Sequence, residues 1–324
     1  MSRKESTFTV LVALGANLGV ALLKLVAGLL SGSGALLSEA AHSVGDTSTQ
    51  VLLLTAVRRS ERPADRKHPF GYGKERYFWS LLAAMGILVS GAAFSVYQGV
   101  HTFVHGGELS RYAWLNYAVL GLALVLEGGS LVQATRQVRR DAEEHKRSLR
   151  GQLRGGDDPT PKAVLNEDSA AVIGILLAAA GVGLHQLTGS AVFDGAASIA
   201  IGVLLAIVAV LLANTCKALL IGRQADARMV RAISARIEEQ PEIDEVVDLL
   251  TMMTGTDKVL LCARVDVVDS YPAGDIERAC VRIDADLRAE FPDLDEIFIQ
   301  PVPRSDSDLR HRVLERYGRT LAGD

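Results

Sequence analysis

Up to Ile221 the chain is dominated by long apolar runs; beyond it the apolar positions become sparse and periodic. About six runs can be drawn, each near the ~20 apolar residues needed to cross a bilayer. They cover approximately 8–30, 34–57, 77–104, 112–134, 163–187 and 193–213. Downstream, 225–240 has the spacing of an amphipathic helix, 245–254 and 258–268 alternate like strands, 274–290 is helical, and 294–301 is a last strand. The pattern predicts an α-helical membrane protein of six transmembrane helices (1–221). A small α/β domain of order helix-strand-strand-helix-strand follows (222–303). The charged tail, 304–324, is expected to be mobile or loosely helical.

Charge in the connections sets an orientation. Arg58, Arg59, Arg62, Arg66, Lys67 and Lys74 lie between the second and third runs. Arg136, Arg139, Arg140, Lys146, Arg147, Arg150 and Arg154 lie between the fourth and fifth, whereas the turns after the first and fifth runs carry no Lys or Arg. The positive-inside rule then puts both termini, and the α/β domain, in the cytoplasm. The basic stretch 136–154 is expected to extend the fourth helix, with Gly155, Gly156, Asp157, Asp158 and Pro159 ending it as a loop. No cleavable signal peptide is expected, because the first run is long and lacks a small-residue cleavage pattern. A formal net charge of −4 implies no nucleic-acid partner. The three cysteines, Cys216, Cys262 and Cys280, are scattered, and are expected to be buried small hydrophobes in a reducing compartment.

Chemistry enters in the second run. Glu39, His42, Asp46 and Thr49 recur every three or four residues and so share one helix face. Ionisable groups inside a membrane span are costly and usually mark an ion path. The spacing of His42 and Asp46 also lets two side chains of one helix hold one divalent metal. A polar stripe that merely joins helices is the plainer alternative, although hydroxyls and amides would do that at lower cost. A zinc protease is disfavoured because no His leads the Glu39–His42 segment. In the first run Asn17 and Lys24 are seven residues apart on one face. Asn17 is expected to face inward, towards a neighbouring helix or the ion path, and Lys24 to snorkel towards the interface. Glu127 in the fourth run serves either proton handling or a buried hydrogen bond. Asp194, at the start of the sixth, is expected to cap a helix.

After the second run come Pro63, Ala64 and Asp65, then His68, Pro69, Phe70, Gly71, Tyr72, Gly73 and Lys74. Combined with the His42/Asp46 pair, this wording resembles the cation diffusion facilitators, divalent-metal/proton antiporters that work as homodimers. The resemblance extends from about Asn17 to Pro303. Around 72–80 it is nearest to the branch that includes the mitochondrial zinc-transporter-like proteins. It implies that His42 and Asp46 are second-span ligands of the transport site. Asp65 and His68 match two ligands of a loop-borne metal site found in some members. Tyr72 stands where the third, usually His, would be. A neutral phenol is a poor metal ligand, so the loop is not expected to be an obligatory site.

Most members repeat His-x-x-x-Asp in the fifth span. Here Glu167 and Asp168 are adjacent instead, about 100° apart on a helix. One of them is expected to face His42 and Asp46, with Asn166 offering a carbonyl. Asp168 is favoured for its shorter side chain, with Glu167 facing another helix or serving the proton path. Capping of a helix start is the plainer account of both. The His residues with which several members bind metal in the C-terminal domain are absent: no His occurs between His185 and His311, and the matching positions hold Val247, Glu277 and Gln300.

The expected protein is therefore not an enzyme. It is a homodimeric antiporter of the bacterial cytoplasmic membrane, exporting zinc against protons, its only ligands the transported ion and lipid. The carboxylate-rich fifth span leaves manganese, iron or cobalt as the alternative cargo. A non-transporting metal-sensing scaffold is the alternative of another class.

Overall fold

The computed structural model describes residues 3–106, 113–144 and 159–317. The chain divides into two compact units, one of residues 1–58 and 75–217, the other of 59–74 and 218–324.

The first unit is helical. Its helices are α1 (Arg3–Ser31), α2 (Gly34–Ser60), α3 (Glu75–Gly86), α4 (Phe94–His105), α5 (Ala113–Glu144), α6 (Pro159–Thr188) and α7 (Val192–Ile221). A π-helical segment, Ile87–Ala93, joins α3 to α4 into one continuous rod. Among the described residues four rods, Glu75–His105, Trp114–Arg140, Val164–Thr188 and Val192–Ile221, are long and apolar enough to cross a membrane. A shorter apolar stretch, Asn17–Ser31, lies within α1, and the buried polar side chains of α2 dilute a helix of 27 residues. Leu29, Val125 and Leu187 stand with most of their surface outside the packed interior, as lipid-facing side chains do. This is a multi-pass membrane architecture.

Local sequence explains the joints. Gly32, at φ 70°, closes the α1–α2 hairpin in a left-handed conformation that an L side chain resists. Asp194 is a cap, but for a helix other than its own. From the first turn of α7 its carboxylate accepts from Ser33 Oγ at 2.6 Å and from the Gly34 N–H at 2.5 Å, closing the open N-terminus of α2. Asp194→Ala strands both buried donors and is expected to cost about 1–3 kcal/mol, seen as a lowered unfolding temperature in detergent. Pro159 opens α6 rather than closing a loop, since proline suits a first helical turn. The helix predicted beyond the fourth run continues through Glu144; the remainder of that expectation, 145–158, lies outside the described residues.

Small residues let the rods approach. A Cβ on Gly99 would stand 2.7 Å from Gly195 O, and one on Gly202 2.9 Å from Ala92 O. Around these contacts Leu36, Ile87, Ile175, Ile201 and Leu205 form an apolar core.

The second unit carries a three-stranded sheet, β1 (Ile243–Gly255), β2 (Lys258–Val267) and β3 (Leu294–Pro301), in the order β1-β2-β3. The β1–β2 pairing is antiparallel and β2–β3 parallel. The parallel step needs a crossover, which α9 (Ala273–Glu290) supplies. Ile233 and Ile237 of α8 (Ala227–Glu238) and Ile283 and Leu287 of α9 are buried.

In the tail, expected to be mobile or loosely helical, Ser307–Tyr317 is a regular helix, α10. Asp306 caps it by accepting from the Asp308 and Leu309 N–H groups. Leu309 and Val313, one turn apart, bury against Val247, while Arg316 reaches the fully buried Asp248 at 3.0 Å. All three cysteines are free; Cys216 is buried, but Cys262 and Cys280 are only half-buried.

Candidate metal centre

The site is built on α2. Its polar face turns wholly inward: Glu39, His42, Asp46 and Thr49 are all buried, whereas Val44 and Val51 lie on the exposed side. His42 Nε2 stands 3.4 Å from Asp46 Oδ2, in ion-pair range. Neither that nitrogen nor Asp46 Oδ1 has a hydrogen-bond partner among the described residues. Buried polar atoms normally find partners, so unused donor and acceptor capacity here is informative.

On α6 the helix begins at Pro159, so Glu167 and Asp168 lie about two turns inside it, beyond the reach of capping. The two carboxylates part company. Asp168 is half-buried and accepts from Ser130 Oγ of α5 at 2.7 Å. Glu167 is buried, and its Oε1 has no hydrogen-bond partner among the described residues. Asn166 and Asn17 are half-buried, and Glu127 on α5 lies within electrostatic range of Asp46 and Asp168. Among the described residues no three His, Cys, Asp or Glu side chains converge as a ready-made metal cage. The arrangement offers a two-donor arm on α2 and a separate buried carboxylate on α6.

Lys24 does not snorkel. It is fully buried, its Nζ 3.0 Å from Glu39 Oε2 and 2.8 Å from Ser43 Oγ. A buried ammonium with a carboxylate at hand is far less costly than an unpaired one, which decides its direction. The sequence signal for this pair is the hairpin itself: Lys24 and Glu39 are eight and seven residues from Gly32, hence at similar depth.

The 59–74 loop is held together by its own groups. Asp65 Oδ1 accepts from the Lys67 and His68 N–H groups at 2.8 and 2.7 Å, and Oδ2 accepts from the Tyr72 hydroxyl at 2.7 Å. The Tyr72 hydrogen bond is the main reason the Asp65 carboxyl is held below its usual range. His68 packs on the Tyr72 ring at 4.3 Å. Because Asp65 already serves as the loop's internal acceptor, His68→Ala is expected to lower metal flux only modestly. Complete loss of flux with intact protein would make the loop a working metal site.

Residues 10–221 match the model of the cation efflux transmembrane domain. The chain belongs to the cation efflux family, a class of membrane transporters rather than enzymes. It is 33% identical over 271 residues to the proton-coupled zinc antiporter SLC30A9, mitochondrial, of Homo sapiens, covering 82% of this chain and 48% of that protein. It is 32% identical over 273 residues to metal tolerance protein C4 of Arabidopsis thaliana, covering 83% and 60%. It is also 33% identical over 116 residues to magnetosome protein MamB of a Magnetospira strain, covering 36% and 38%. The chain thus spans about half the length of its human relative.

Proposed function

We propose that this protein is a proton-coupled antiporter that moves a divalent transition-metal cation, zinc, out of the cytoplasm. The observation that carries this reading is the buried His42–Asp46 pair on α2 and the buried Glu167 on α6, each with a side-chain atom that has no hydrogen-bond partner among the described residues, inside an apolar bundle. A dication taken from water into such a site requires compensating negative charge. Asp46 and Glu167 supply it, and neutral His42 adds the borderline ligand that suits zinc. Protons compete for the same three groups, so a proton gradient can drive release. Glu127 is the candidate relay on the α5 side, and Asn166 and Asn17 are candidate neutral oxygen donors.

Orientation follows from the basic connections, which put both termini and the α/β domain in the cytoplasm. Lacking histidines, the α/β domain serves as a dimerisation and packing module, and the working unit is a homodimer in the cytoplasmic membrane. The carboxylates of Glu167 and Asp168 favour one second reading, a harder cargo such as manganese, iron or cobalt. A metal-by-metal flux assay in proteoliposomes with a proton reporter tests both. Zinc uptake with counterflow of protons is expected. Flux of a harder metal alone would select the second reading, and metal binding without any flux would make the protein a sensor or scaffold.

A further inference from the structure

The Lys24–Glu39 pair lies on the turns that carry the centre and is not among the groups proposed above as ligands of the cargo. Both side chains are fully buried, and Lys24 spans from Glu39 Oε2 to Ser43 Oγ, next in sequence to His42. The ammonium is thereby fixed to the same turns of α2 that present His42 and Asp46. Glu39 Oε1 has no hydrogen-bond partner among the described residues and lies against Gly174 of α6, where a Cβ would collide with it. The carboxylate therefore bridges from α2 to α6, the two helices that carry the centre. A pair of apolar residues of similar shape would hold the helices together at least as well. Tethering alone does not account for the charges.

We propose that Lys24 and Glu39 trim the field of the metal centre, Lys24 acting as a resident cation that lowers dication affinity enough for the ion to leave. This rests on the transport reading for its purpose, not for its test. Release must be as accessible as capture in a transporter, and a fixed positive charge nearby disfavours a bound dication more than it disfavours a proton. Glu39 offsets part of that repulsion. The two are positioning residues with opposite influence.

Opposite influence separates trimming from tethering. Lys24→Met leaves Glu39 unopposed and is expected to lower KM for zinc about tenfold and to reduce kcat, since a buried unit charge on the turns that carry the ligands acts on a dication through a partly shielded interior, where charge interactions are several times stronger than in water. Glu39→Gln leaves Lys24 unopposed and is expected to raise KM by a similar factor. The double variant, with no buried charge left over, should fall between the two. Zinc titration calorimetry on the purified full-length protein should give the same order of Kd, Lys24→Met tightest and Glu39→Gln weakest, without requiring flux. If both single variants shift affinity in the same direction, or neither shifts it, the pair is only a tether. Absence of flux in the unsubstituted protein, with this order of Kd preserved, would overturn the transport reading and leave the trimming pair standing. Should these single variants fail to fold, Lys24→Gln, which keeps a hydrogen-bonding group against Glu39, decides: a tighter Kd for zinc supports trimming, and an unchanged or weaker one overturns it.

Discussion

Glu167→Gln is expected to abolish metal flux, by more than about 100-fold, the range reached on losing even an outer-shell partner of a metal, whereas Asp168→Asn should lower it far less. The charge argument needs one carboxylate from α6 beside Asp46, because His42 must be neutral to bind metal and contributes no charge. Adjacent positions on a helix cannot both point along one radius. Glu167 is the buried one, and its Oε1 has no hydrogen-bond partner among the described residues. Asp168 already accepts from Ser130 on α5. Radioactive or dye-reported uptake into proteoliposomes measures the difference. Equal loss in both variants would mean that the two carboxylates share the ion. Retention of wild-type flux in both would move the second charge to Glu39 or Glu127.

Introducing a side chain on the seam between α4 and α7 should be nearly as severe, through folding rather than chemistry. An added Cβ on Gly99 would stand 2.5 Å from Ile199 Cγ1 and 2.7 Å from Gly195 O, and one on Gly202 2.7 Å from Val96 Cγ2 and 2.9 Å from Ala92 O. Backbone atoms are among the obstacles, so rotamer changes cannot relieve the clash. Either Gly99→Val or Gly202→Val is expected to cost at least about 1–3 kcal/mol, the usual range for overpacking. Lowered unfolding temperature and yield in detergent would report it. A variant as heat-stable as the parent would show that this seam is looser than its distances indicate.

The helices were legible in the sequence because lipid exposure and helical periodicity write themselves into composition. The inward face of Glu39, His42, Asp46 and Thr49 followed from spacing alone. Two side-chain directions did not. Hydropathy gives the depth of Lys24 but not its partner, which depends on how α1 and α2 pair across Gly32. Neighbouring Glu167 and Asp168 differ by about 100° in direction, and it is Ser130 on another helix that engages Asp168. The tail was expected to be mobile or loosely helical, and its docking was missed for a different reason. Its apolar stripe is only Leu309 and Val313 amid charged residues, and its docking partner Asp248 looks from sequence like a surface acid.

The π-helical segment Ile87–Ala93 bears on what the third rod tolerates. Winding more residues into each turn than an α-helix, it lets the rod behind it lag by roughly one residue, about 100°. Inward positions before it (Tyr77, Ser80, Ala84) and after it (Ser95, Gly99, Thr102) are thereby kept on the buried side. The rod is a spliced screw whose two threads are cut at different angles. Sequence changes that conserve every residue but alter the count within Ile87–Ala93 would dephase one half against the other and swing Gly99 out of its seam. Length in this short stretch is constrained more tightly than identity.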